Sequence, residues 1–219
     1  MAVPPPLAPK PPVLPAALDD VDLGDRALHG LRLERSRLRG VGLEERAAPE
    51  LRLEECVLDD VRLDGSEAAG LSLSDVRVSG GSWANLRALR GTLNRVEARG
   101  LRATGADFAE AELRDVVFDG CRLDLASFRF AKLVRVAFLD CRLEEADLGG
   151  ATLSSVRLER CVLAGASVEN ASFSQCELRE CDLTGLTGAA GLGGVRIPWN
   201  DMLQLAPLLA VAAGIELVD

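Results

Sequence analysis

Residues 101–140 read LRATG-ADFAE-AELRD-VVFDG and then CRLDL-ASFRF-AKLVR-VAFLD. Cut into fives, each piece has an apolar third residue: Ala103, Phe108, Leu113, Phe118, Leu123, Phe128, Leu133 and Phe138. The same register extends outward from Val21 to Gly185, 33 units without an insertion or deletion. Leu23, Leu28 and Leu33 continue it at one end, and Leu143, Phe173, Leu178 and Leu183 at the other. A period of five is neither that of a helix face nor that of a flat strand. A fixed short period held over this length specifies a solenoid.

The first residue of each unit is also mostly small or apolar, so positions one and three point inward. Positions two, four and five point out and carry nearly all the charge. A second period of 20 lies on the first: Cys121, Cys141, Cys161 and Cys181; Val116, Val136 and Val156; Ala106, Ala126, Ala146 and Ala166. Twenty residues are four units, which predicts a four-sided coil with equivalent residues stacked. With rungs ~4.8 Å apart, a little over eight coils give a rod of roughly 40 Å.

Charge supports the stacking. The fifth positions of one side read Arg35, Glu55, Asp75, Arg95, Asp115, Arg135. Fourth positions pair Arg39 with Asp59, Arg99 with Asp119 and Glu159 with Arg179 across one rung. Arg102, Arg122 and Arg142 stack like charges, with Asp124, Glu144 and Glu145 nearby to neutralise them. The first half is rougher: Arg26, Arg46 and Ser66 occupy first positions, and Ala48, Ala68 and Ala88 leave one side thin, with Trp83 and Leu86 to fill it.

Outside the repeat, residues 1–18 hold seven prolines and are expected to be a flexible, extended tail. The solenoid is assigned to 19–187, and 188–219 to a loop and a helical cap. Asn200-Asp201 is the expected helix cap, Pro207 kinks that helix or opens a second one, and Gly214 stops it. A solenoid end exposes unpaired edges and core, so it needs a cover. Leu203, Leu205, Leu208, Leu209, Val211 and Ile215 are the candidate cap and dimer residues.

The units Ala106-Asp107-Phe108-Ala109-Glu110, Ala146-Asp147-Leu148-Gly149-Gly150 and Cys181-Asp182-Leu183-Thr184-Gly185 resemble the A-(D/N)-L-x-x motif of the pentapeptide repeat family. The resemblance covers 21–185 and is of the actinobacterial type, distantly like the mycobacterial fluoroquinolone-resistance pentapeptide protein. It implies a right-handed quadrilateral β-helix, all-β apart from the C-terminal helix. It also implies dimerisation through C-terminal helices and, in the best-known members, binding of DNA gyrase by mimicry of duplex DNA. The unbroken register leaves no room between 21 and 185 for the loops that bulge from Qnr members.

Little in the chain points to catalysis. The column Cys121, Cys141, Cys161 and Cys181 places thiols in a line, which cannot form a tetrahedral metal site and suits core packing. His29 is the one histidine and has no nucleophile or ligand at useful spacing. No HExxH, GxSxG, CxxC or phosphate loop occurs. No enzyme, cofactor or metal is expected. With 25 basic against 34 acidic residues the net charge of −9 disfavours direct nucleic-acid or anionic-membrane binding. The chain has no 18-residue apolar run and no secretory signal, and a cytoplasmic location is expected.

The strongest acidic patch is coil two, with Glu44, Glu45, Glu50, Glu54, Glu55, Asp59 and Asp60. Charge alternates in sign between coils, whereas duplex DNA carries a charge every ~1.7 Å. A non-catalytic protein-binding scaffold is therefore the leading expectation. A gyrase- or topoisomerase-binding DNA mimic that protects against quinolone-type inhibitors is the alternative.

Overall fold

The computed structural model describes residues 3–24, 26–212 and 214. Among the described residues all strand pairs are parallel, and those within 21–185 are in register at a step of 20, as in Leu113 beside Leu133 and Phe118 beside Phe138. The coils form a four-sided β-helix. The sides beginning at residues 21, 26, 31 and 36 are called here sides one to four. Sides three and four carry the strands, such as Glu112–Asp119 and Lys132–Leu139. Sides one and two touch the next coil through single bridges, such as Arg102 to Arg122 and Asp107 to Ser127.

The unit's hydrogen bonds explain its length. The second-position amide bonds the coil below, as Arg122 N to Leu101 O at 2.9 Å. The third and fifth amides bond the coil above, as Leu123 N to Arg142 O at 2.7 Å and Leu125 N to Glu144 O at 2.8 Å. The first amide closes the turn, as Ala126 N to Leu123 O at 3.1 Å. The fourth amide is left over. An Asp at position two accepts it, as Asp107 does from Ala109 at 2.9 Å and Asp147 from Gly149 at 2.7 Å.

The corner falls on position five, where 21 non-glycine residues among those described adopt φ of +50 to +59°. Left-handed backbone costs an L-residue about 1–2 kcal/mol, and the interstrand bond from the fifth amide offsets it. Glycine removes the cost, and it recurs at 30, 40, 65, 70, 80, 100, 105 and 120.

Inside, Leu113, Phe118, Leu123, Phe128, Leu133, Phe138, Leu143 and the four cysteines are all buried. Phe108 stacks on Phe128 with ring centres 5.5 Å apart, and Phe118 on Phe138 at 5.1 Å. The thin first-half side is filled as the composition suggests, since Trp83 and Leu86 are buried beside Ala68 and Ala88. Gly81 lets the chain approach there: a Cβ at its φ of +82° would stand 2.2 Å from Val61 O. Ser66 fits inside by donating to Leu43 O at 2.6 Å and accepting from Arg46 N at 3.2 Å. Arg46 turns out instead and donates to the carbonyls of Gly24 and Arg26.

Two expectations need correction. The loop after Gly185 continues the winding: Thr187 bridges Ser167, and Val195–Arg196 pairs with Cys176–Glu177. The proline-rich segment is not a free tail. It lies along the rod, entering through Asp19–Asp20, which pairs with Ser36–Arg37.

Candidate protein-binding surfaces

The acidic residues of coil two are spread around the circumference. Glu44 and Glu45 lie on side one, Glu50 on side two, Glu54 and Glu55 on side three, and Asp59 and Asp60 on side four. Five meet an arginine: Glu44 with Arg62 at 2.6 Å, Glu50 with Arg52 at 3.9 Å, Glu54 with Arg32 at 3.0 Å, Glu55 with Arg35 at 3.0 Å and Asp59 with Arg39 at 3.7 Å. Such exposed pairs stabilise by about 0–1 kcal/mol. They do neutralise the patch locally.

Elsewhere the rung pairing is mixed. Arg99 meets Asp119 at 3.8 Å, as expected. Glu159 does not pair with Arg179: it meets Arg157 and Arg160, while Arg179 takes Glu177 at 2.9 Å, two residues back. In the arginine column, Arg142 is matched by Asp124 at 3.5 Å and Glu144 at 2.8 Å, and Arg102 by Asp64 at 3.8 Å.

The cysteines are free thiols that donate to main-chain carbonyls, as Cys121 to Ala98 O and Cys141 to Phe118 O, both at 3.4 Å. Desolvation pushes the Cys56 and Cys176 thiols up from the ordinary value. Among the described residues no three His, Cys, Asp or Glu side chains gather as metal ligands. None of the helices there is long and apolar enough to cross a membrane.

One helix, α1 (Trp199–Ala212), closes the far end. It starts at Trp199, two residues before Asp201, and runs unbroken through Pro207, so neither the Asn200-Asp201 cap nor a second helix forms. Leu205 is fully buried against the core, and Met202, Leu208 and Leu209 pack beside it. Gln204 supplies a surrogate rung. Its Oε1 accepts from Leu183 N and its Nε2 donates to Cys181 O, both at 3.0 Å, where the next coil would have bonded. Leu203 faces solvent with Trp199 one turn before it, 54% and 75% exposed. Val211 lies on α1, and Ile215 lies outside the described residues.

The proline-rich arm occupies a surface that the charge pattern did not single out. At the edge between sides three and four, Val13 N donates to Asp75 Oδ1 at 2.9 Å and Lys10 N to Asp115 Oδ1 at 3.1 Å. Each carboxylate is also clamped by an arginine one coil up: Arg95 Nε reaches Asp75 at 2.6 Å, and Arg135 Nε and Nη2 reach Asp115 at 2.6 Å. The arginines, joined by the arm's amides, hold both carboxyls below their ordinary value of 3.8. Further along, Pro5–Pro9 share a groove with Val117, Ala137 and Leu139 of side four. These are outward positions by the repeat, yet Ala137 is 5% exposed.

Comparison with known proteins agrees with the geometry. A model described as "Pentapeptide repeat region" matches residues 103–168, and "Pentapeptide repeats (8 copies)" matches 157–187. Residues 103–187 are thus matched as pentapeptide repeats. Among solved pentapeptide repeat structures it is similar to QnrB1, a plasmid-mediated fluoroquinolone resistance protein, at 15% identity. That likeness, to a trypsin-treated variant, covers 86% of this chain and 99% of that one, with a TM-score of 0.45. It is similar to HetL, involved in heterocyst differentiation regulation in the cyanobacterium Nostoc, at 21% identity, covering 80% and 93% with a TM-score of 0.42. A thylakoid-lumen member from Arabidopsis thaliana gives 20% identity, 65% and 76% coverage and a TM-score of 0.20. No curated protein sequence matches.

Proposed function

We propose that this pentapeptide repeat protein is a non-catalytic, cytoplasmic scaffold that binds other proteins along its sides and dimerises through its C-terminal segment. The observation that carries the reading is the charge matching on coil two, where five of seven carboxylates are paired with arginines and the seven lie on all four sides. A mimic of duplex DNA needs a long unmatched acidic stripe. A rod with matched, alternating charge instead offers rigid, patterned faces for specific protein contact. In the dimer, Leu203 and Trp199 form the contact, since they are large exposed apolar residues of a helix that packs Leu205 on the rod.

The test is a supercoiling titration with purified DNA gyrase, with and without a fluoroquinolone, at two salt concentrations, beside a pull-down from host lysate. Absence of any gyrase effect at micromolar protein, with specific partners retained at physiological salt, supports the scaffold. Salt-sensitive inhibition or drug protection would establish the gyrase reading that the family resemblance implies. Sedimentation of Leu203→Glu against the unmodified chain tests the dimer; an unchanged state removes this helix face from it.

A further inference from the structure

The arm's contacts follow a period of three. Val3, Pro6, Pro9, Pro12, Pro15 and Leu18 are half-buried against the rod, while the residues between them, apart from Leu14, are exposed. Three residues per turn is the period of the polyproline II helix, which rises about 3.1 Å per residue. One turn therefore advances about 9.3 Å, and two coils of the rod advance about 9.6 Å. The amide acceptors sit at that spacing, since Asp75 and Asp115 occupy the same corner two coils apart and receive Val13 and Lys10, three residues apart. Each of those donors immediately follows a half-buried proline, Pro12 and Pro9.

We propose that this edge of the rod is a binding site for polyproline II segments. Residues 3–18 are its resident ligand in cis, and a proline-rich segment of a partner protein replaces them. The segment recognised has proline at every third residue and a free amide directly after it. Three features mark a site and not a covering alone. The carboxylates are preset by Arg95 and Arg135 and need no arm to hold them. Val117, Ala137 and Leu139 supply apolar surface where the repeat calls for polar residues. The arm contributes nothing to the core, whose first member is Leu23, and its Leu7 and Val13 side chains face solvent. The proposal rests on the scaffold reading and names one face and one partner class for it.

The test uses a chain that starts at Leu18, and a fluorescent peptide of residues 3–17, followed by anisotropy. Its circular dichroism should match that of the full chain. If it does not, the full chain carrying Lys10→Pro and Val13→Pro takes its place. The expected result is saturable one-to-one binding below about 1 mM, the order of effective concentration that a short tether provides. A peptide with Lys10→Pro and Val13→Pro keeps the polyproline helix but lacks both donors, and should bind about tenfold or more weakly. The intact chain should also bind the unmodified peptide about tenfold or more weakly, because its own arm competes. No binding at about 1 mM, or equal binding by the double-proline peptide, overturns the site. Concentration-dependent dimers of the intact chain that the peptide dissolves would overturn the partner class in favour of a second copy. Peptide binding with an empty lysate pull-down would instead sink the scaffold reading and leave the site standing.

Discussion

The two terminal segments both lie on the rod, but opposite forces hold them. Helix α1 sits on the open end, buries Leu205 completely and replaces a missing rung with the Gln204 amide. The arm runs along the closed side, where every coil is already paired, and its hydrogen bonds to the upper coils are two amide–carboxylate contacts. An end must be covered, because it otherwise leaves core and strand edge in water. A side need not be. The helix is therefore part of the fold, while the arm is an attachment, held by two hydrogen bonds to charged groups and already stiffened by its prolines before it docks.

The largest effect should come from the helix. Leu205→Asp removes a buried leucine and sets an unpaired carboxylate on the core, a loss of several kcal/mol. The melting temperature should fall by about 10 °C or more, and amides 181–187 should lose protection first in hydrogen exchange. A melt like that of the unmodified chain would show that the helix is no more structural than the arm. Gln204→Ala is milder, leaving Leu183 N and Cys181 O without partners at a cost of about 1–3 kcal/mol. Faster exchange confined to Leu183 and its neighbours is the expected signature. Removing residues 1–17 should do less still, shifting the melt by about 2 °C or less. A shift as large as that of Leu205→Asp would make the arm part of the fold.

Much of this division can be read from the chain, but not all. The register from Val21 to Gly185, the inward positions and the stacking at 20 follow from spacing, because one coil geometry repeats without interruption. The surrogate rung does not follow, since a lone glutamine acquires its role only from where α1 comes to rest. The arm's docking was half legible. Pro6, Pro9, Pro12 and Pro15 show the period of three, but its meaning depends on matching that rise to two coils. Val117, Ala137 and Leu139 at outward positions were the other signal. Charge along the chain overstated the coil-two patch, because the neutralising arginines Arg32, Arg35, Arg39 and Arg62 lie one rung away. Pairing by rung also failed at Glu159, where arginines on its own coil are nearer.

Acid separates the two segments most finely. Asp75 and Asp115 have their carboxyls held below the ordinary value of 3.8, first by Arg95 and Arg135 and then by the arm's amides. A carboxylate depressed in the docked state favours docking above its undocked value, and that contribution is lost as pH falls through the docked value. Protonation also weakens the acceptor that Val13 and Lys10 use. The arm should therefore stay docked at pH 5 and detach only below about 4. Helix α1 holds Leu183 N through the neutral Gln204 amide and packs the apolar Leu205 on the core, its carboxylate contact being Cys181 N to Asp201 Oδ2 at 3.4 Å, so protection at Leu183 should outlast the arm's. Hydrogen exchange at amides 10, 13 and 183 across pH 3–6, after correction for intrinsic rates, reads both at once. Loss of protection at 10 and 13 before 183 is the expected order. Simultaneous loss would mean that the whole rod opens in acid and that the arm is not independently held.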